Sequence, residues 1–169
     1  IAMYRKGEKK HPNKIALMWT LGTAIVSFVG AGLLGFAHTL PGVNMWTHGT
    51  LVTAMHGHLA FWGAYGMIVL AIISYTMPNM TGRKLYDSSN GLTAFWLSNI
   101  GMIGMTTAFA AAGVAQVYTN RIMGMDFGDS QNEIKVHFVI LILCATLFSV
   151  GIGMFIWEFI KYGRPNDEA

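Results

Sequence analysis

The feature that most restricts the fold of this chain is a long run without charge. Between Ile15 and Gly82 there is no Asp, Glu, Lys or Arg. About 20 apolar residues in an α-helix cross a hydrocarbon core of about 30 Å, so this run is long enough for two crossings. Pro41, Gly42 and Asn44 interrupt it and predict a turn between them. With 53% hydrophobic and only 11% charged residues, the chain is not an ordinary water-soluble domain.

Two further uncharged runs follow, from Ser88 to Asn120 and from Val136 to Trp157. The chain is therefore predicted to be all-α and integral to a membrane, with four transmembrane helices at about 15–39, 48–76, 89–119 and 136–160. The predicted organisation is a cytoplasmic leader at 1–14, a four-helix transmembrane segment at 15–160 and a cytoplasmic tail at 161–169. Because the chain opens on Ile1 and a polar stretch rather than a signal peptide, we expect it to be the later part of a longer protein.

The positions of Lys and Arg predict the orientation of the spans, because cytoplasmic loops are enriched in both. One side of the membrane receives nine of them: Arg5, Lys6, Lys9, Lys10, Lys14, Arg83, Lys84, Lys161 and Arg164. The other side receives only Arg121 and Lys135, together with Asp126, Asp129 and Glu133. Both termini are therefore predicted to be cytoplasmic. The net charge of +3 follows from this distribution and does not indicate a nucleic-acid surface.

Small residues inside the spans are predicted to serve packing. The segment from Gly30 to Gly35 fits the G-x-G-x-x-G pattern of dinucleotide-binding turns, but that motif needs a preceding strand and a solvated helix start, and here it lies in mid-membrane. Small residues in a span let neighbouring backbones approach, which is also the role predicted for Gly101, Gly104, Gly113, Gly151 and Gly153. Cys144, the single cysteine, excludes an internal disulfide and a thiolate-ligated cluster, and is predicted to pack.

Two histidines in the second span carry the sharpest functional signal. His56 and His58 are separated by Gly57 alone, and imidazoles inside a span are costly and usually functional. Residues two apart on an α-helix point about 200° away from each other, so these two rings cannot share one metal ion. Each can bind a separate one, and imidazole is a common axial ligand of heme iron. We therefore predict two hemes on opposite sides of one helix. Gly57, which has no side chain, would leave space for both macrocycles to approach the helix backbone.

His48 adds a third position, eight residues before His56 and ten before His58. On a continuous helix with Thr47 as its N-cap, His48 would lie midway between the two ligand faces, where heme carboxylates could meet a helix N-terminus. The remaining histidines are predicted to be interface or hydrogen-bonding residues: His11, His38 and His137.

The histidines at offsets zero, eight and ten resemble the tenth span of the heme-copper oxidase superfamily. By position, that resemblance implies that His56 binds the high-spin heme of the reaction centre and is its catalytic ligand. It implies that His58 is one of two ligands of the low-spin heme, and that His48 lies near the heme propionates. The second metal site of the family, built from histidines on earlier spans, has no match in this chain.

The version of the motif from Met55 to Tyr65 looks like the large, cytochrome b subunit of bacterial nitric oxide reductase. Two later stretches agree: Gly113 to Tyr118 and Ile134 to Phe138. The resemblance implies the last four of about twelve spans, with heme b, heme b3 and a non-heme iron in the full-length protein. It also implies reduction of two NO to N2O and water, a cytochrome c subunit as partner and donor, and the bacterial cytoplasmic (inner) membrane. Such a piece is expected to be inactive alone.

Two alternatives stay open on the sequence. One is a piece of subunit I of an oxygen-reducing heme-copper oxidase, which shares the histidine motif. The other is a non-catalytic four-helix membrane protein, such as a transporter segment or an assembly partner, whose histidines only form hydrogen bonds.

Overall fold

A computed structural model describes residues 11–82 and 88–161, and within these residues all regular structure is helical. Four helices are long and apolar enough to cross a membrane. In chain order the helices are α1 (Lys14–Thr39), the short α2 (Pro41–Thr47), α3 (Leu51–Thr81), α4 (Ser89–Ile122) and α5 (Phe127–Lys161). The predicted all-α fold with four spans is confirmed, and the chain is a multi-pass membrane protein. Most of the predicted leader and tail lies outside the described residues, as do Arg83 and Lys84.

The turn between the first two spans is itself partly helical. Pro41 starts α2, where a missing N–H costs nothing because the first helical N–H groups have no partner in the helix. After Thr47 the backbone of His48 is extended, and Gly49 adopts the left-handed conformation with φ of 74° that favours glycine. The second span therefore begins at Leu51, not at 48 as predicted.

The N-cap of α3 is Thr50 rather than the predicted Thr47. The Thr50 hydroxyl accepts a hydrogen bond from the backbone N–H of Val52. Thr47 instead ends α2, and its hydroxyl donates back to a carbonyl of that helix. A second side chain also caps α3: Oε1 of Gln116, on α4, accepts from the N–H of Leu51 at 2.8 Å. The start of the histidine-bearing helix is thereby attached to α4.

The fourth span begins nine residues earlier than predicted, at Phe127 rather than near 136. Asp129 lies in its first turn, where a negative charge is favourable beside the exposed N–H groups. Asp126 accepts a hydrogen bond from the N–H of Asp129 at 2.9 Å. The prediction started this helix where the uncharged run begins. The helix in fact starts earlier and includes the charged residues that precede this run.

The four spans form one bundle around a common aromatic core. Trp19 of α1 is fully buried and makes edge-to-face contacts with one ring from each other span. Its ring centroid lies 6.0 Å from that of Trp62, 5.0 Å from Phe95 and 6.0 Å from Phe155. Such pairs contribute about 0.5–1.5 kcal/mol each beyond their buried area. Since Trp19 is near the start of α1 and Phe155 near the end of α5, those two ends lie on the same side of the bundle.

Most of the glycines predicted to pack do so. A Cβ on Gly30 would lie 2.7 Å from the Leu59 backbone, and one on Gly151 would lie 2.5 Å from the backbone nitrogen of Ser98. Gly101, Gly104 and Gly113 are equally close to a neighbouring helix. Gly32 and Gly153 are the exceptions: among the described residues, no neighbouring helix lies within 4 Å of a Cβ at either position, so the packing predicted for them is not observed.

Gly151 and Gly153, two residues apart on α5, provide a matched test of this packing. Gly151→Ala is expected to destabilise the bundle by about 1–3 kcal/mol, because the new methyl group would force α5 away from α4. Gly153→Ala should leave stability unchanged, since its methyl group meets open space. Thermal melting of the two variants in detergent measures the difference. Equal melting temperatures would contradict the close approach of α4 and α5.

Candidate heme-ligating histidines

The segment that carries the two histidines is a regular α-helix. Residues Leu51–Phe61 are α-helical, and the wider π-helical turn Trp62–Gly66 begins only after them. His56 and His58 therefore point about 200° apart, as the helical period requires. His56 contacts α1, whereas His58 faces α4 and α5.

The imidazole of His56 is half-buried against α1. Its Nδ1 lies 2.9 Å from the backbone carbonyl oxygen of Gly30. A carbonyl oxygen only accepts, so Nδ1 carries the proton and Nε2 carries the free lone pair. Histidine ligands of metals are usually held in this way by a carbonyl on the other ring nitrogen. Gly30 belongs to a π-helical turn, Phe28–Leu33, and such turns are frequent at functional sites.

The imidazole of His58 has the same tautomer but a different partner. Its Nδ1 lies 2.8 Å from the carbonyl oxygen of Ala54, one turn earlier on α3. The ring is exposed and lies 4.9 Å from the ring of Phe109 on α4. Both histidines thus have Nε2 as their lone-pair atom, the form of imidazole that can bind a metal ion.

A large apolar cleft adjoins His58. It has a volume of about 870 Å³ and lies between α3, α4 and α5. Met105 and Phe148 are among its walls, and Gly57 lines it beside His58. Because nothing lies within 4 Å of a Cβ on Gly57, the cleft extends to the backbone of α3. Its volume is that of a pocket for a large ligand, and apolar walls with one imidazole suit a porphyrin. His56 is not among the residues that line it.

The structure places His48 differently from the prediction. The residue is exposed and lies between α2 and α3, so the angle derived for a continuous helix does not apply to it. Its carbonyl oxygen accepts a hydrogen bond from Nη2 of Arg121 at 3.1 Å. Arg121, which the sequence used only to predict the topology, therefore lies beside His48 at the end of the bundle where α3 begins.

Sequence reasoning missed the contact that His38 makes. This residue of α1 stacks on His56, with ring centroids 4.8 Å apart and planes 23° apart. The hydrogen bond predicted for it is also present, from Nδ1 to the Leu34 carbonyl at 2.8 Å. His11 and His137 likewise bond backbone carbonyls within their own segments. No local signal relates His38 to His56, because they lie on different helices.

Comparisons with known proteins identify the family of this chain. Residues 1–147 match the family described as cytochrome c and quinol oxidase polypeptide I. The chain belongs to this family and so to the heme-copper oxidase superfamily. It is also 38% identical over 170 residues to the B subunit of nitric oxide reductase from Stutzerimonas stutzeri. That alignment covers 96% of this chain and 36% of the relative, so the chain spans about a third of that protein's length. The predicted resemblance is confirmed.

Proposed function

We propose that this chain is a four-span part of the catalytic subunit of a nitric oxide reductase. In it, His56 is the axial ligand of the high-spin heme and His58 is a ligand of the low-spin heme. The proposed overall reaction joins two NO with two electrons and two protons to give N2O and water. One observation carries the proposal: two imidazoles on opposite sides of a regular membrane helix, each with Nδ1 bonded to a carbonyl and Nε2 free. The 38% identity to a nitric oxide reductase chain supports the choice of substrate.

The proposed roles of the two histidines differ in how many protein ligands each heme iron has. An iron porphyrin with one protein ligand keeps an open face for substrate, whereas one with two protein ligands serves electron transfer. The family resemblance assigns substrate binding to the heme on His56 and electron transfer to the heme on His58. The cleft beside His58 offers such a group apolar walls from α3, α4 and α5. A group at His56 would be enclosed by further spans of the full-length protein, outside this chain.

The described residues orient these ligands. The Gly30 and Ala54 carbonyls fix the tautomer of the two rings and raise the basicity of each Nε2. Apolar side chains around His58 lower the local dielectric, which helps to set a redox potential. His48 and Arg121 would offer donors and positive charge to carboxylates at the outer end of the bundle.

The proposed setting is the cytoplasmic (inner) membrane of a bacterium, with both termini in the cytoplasm. The start of α1 and the end of α5 lie on one side of the bundle, in keeping with that topology. The proposed partners are the remaining spans of the full-length protein and a cytochrome c subunit on the outer side, which would donate the electrons. The non-heme iron proposed for the reaction would be bound outside this chain, since within residues 11–82 and 88–161 no three His, Cys, Asp or Glu side chains converge.

Oxygen reduction is the second candidate, because the matching family is described by its oxidases.

The full-length protein, purified with its partner subunit and given a reduced donor, is expected to consume NO and form one N2O per two NO. Its visible spectrum is expected to show one low-spin and one high-spin b-type heme. An NO electrode measures NO consumption, gas chromatography measures N2O, and an oxygen electrode measures oxygen uptake. Oxygen uptake without N2O formation would favour the oxidase, and a spectrum without heme would favour a structural role.

A further inference from the structure

The contact between His38 and His56 joins α1 to the histidine-bearing face of α3. The two imidazole planes are 23° from parallel and their centroids are 4.8 Å apart, so the rings touch through their faces. Nε2 of His38 is buried and has no hydrogen-bond partner among the described residues. His38 therefore does not bond His56 edge to edge, and its contribution to this contact is the flat face of its ring.

The ring of His38 is itself held in place. Its Nδ1 lies 2.8 Å from the Leu34 carbonyl, which attaches the ring to α1 at one atom. His56 is in turn held at one atom by the Gly30 carbonyl, also on α1. A hydrogen bond at one nitrogen leaves the ring free to tilt about that contact. A flat surface against its face removes that remaining freedom.

We propose that His38 is a positioning residue for His56, and that it sets the plane of the ligand imidazole by stacking on it. The proposal rests on the proposed function, in which His56 binds the high-spin heme. Two contacts from α1 then define the ligand: the Gly30 carbonyl sets where Nδ1 lies, and the His38 face sets how the ring is turned. A partner that orients a metal ligand typically contributes about 10- to 100-fold in metal affinity or activity.

The test uses the full-length protein and compares His38→Ala with His38→Phe. His38→Ala removes the flat face and is expected to speed loss of the high-spin heme by about 10-fold or more. It is also expected to shift the iron–imidazole band of that heme in the resonance Raman spectrum. His38→Phe keeps a flat ring and is expected to restore both properties towards those of the wild type. The low-spin heme on His58 should be unchanged in both variants and serves as an internal control.

A matched control is His137→Ala on α5, whose ring, among the described residues, bonds only the Ile134 carbonyl of its own helix. It should leave both hemes as they are. An unchanged high-spin heme in His38→Ala would overturn the proposal, as would equal loss of both hemes, which is the sign of a general folding defect. Equal effects of Ala and Phe would also overturn it, because they would assign the role to a ring nitrogen. A wild-type protein without high-spin heme would instead refute the proposed function.

Discussion

Replacing His56 by Ala in the full-length protein is expected to remove the high-spin heme and lower NO turnover by more than about 100-fold. Loss of a hydrogen-bond partner of a metal ligand alone costs about 10- to 100-fold, and here the ligand itself is lost. The low-spin heme should keep its six-coordinate spectrum, because His58 lies on the opposite side of α3. Optical and electron paramagnetic resonance spectra of the purified variant, together with an NO electrode, measure both effects.

The matched variant is His58→Ala, which is expected to give the opposite spectra. The low-spin signal should be lost while the high-spin heme stays in place, and turnover should fall because electrons no longer reach the reaction centre. The comparison is controlled internally, since the two residues are only two positions apart on the same helix. Loss of one and the same spectral species in both variants would show that the two imidazoles do not serve separate hemes.

Enlarging Gly57 to Leu is expected to exclude the low-spin heme without disturbing the fold. Gly57 lines the cleft beside His58, and nothing lies within 4 Å of a Cβ built there. A leucine side chain would therefore occupy the space proposed for the macrocycle. Overfilling a packed site costs about 1–3 kcal/mol, so the affinity for the low-spin heme should fall by about 5- to 160-fold. The pyridine hemochrome assay and the low-spin absorption band measure the loss.

The control for this prediction is Gly153→Leu, the same substitution at another glycine that meets open space. Gly153 lies on α5 and does not line the cleft beside His58. This variant should retain both hemes, and its melting temperature should match that of the wild type. Full low-spin heme content in Gly57→Leu would mean that the cleft is not where the macrocycle binds.

The number and approximate extent of the spans could be predicted because each depends on local composition. The uncharged run that ends at Gly82 needs no neighbour to be recognised as apolar, and α3 indeed ends at Thr81. Helix ends were less predictable. A helix can begin before its apolar part, as α5 does where Asp126 accepts the N–H of Asp129. It can also break within an apolar run, as where Pro41 starts a separate short helix. The same break moved His48 out of the helix on which its predicted position depended.

Buried polar pairs between helices also lay beyond prediction. Glu158, near the end of α5, is only 4% exposed, and its Oε1 accepts a hydrogen bond from Nδ2 of Asn90 on α4 at 2.9 Å. Trp62 similarly donates from its indole nitrogen to Oδ1 of Asn99. Each pair joins residues far apart in sequence, so no periodicity in either segment indicates its partner.

The sequence by itself determined that this chain crosses a membrane four times and that His56 and His58 face opposite ways. Both follow from properties of short segments, namely apolar length and the 3.6-residue period of the helix. Only the tertiary structure decided what each ring meets. The Gly30 carbonyl and the His38 ring lie against His56, and an apolar cleft between three helices adjoins His58. These contacts depend on how close the helices approach and how they are rotated, and many distant side chains set both together.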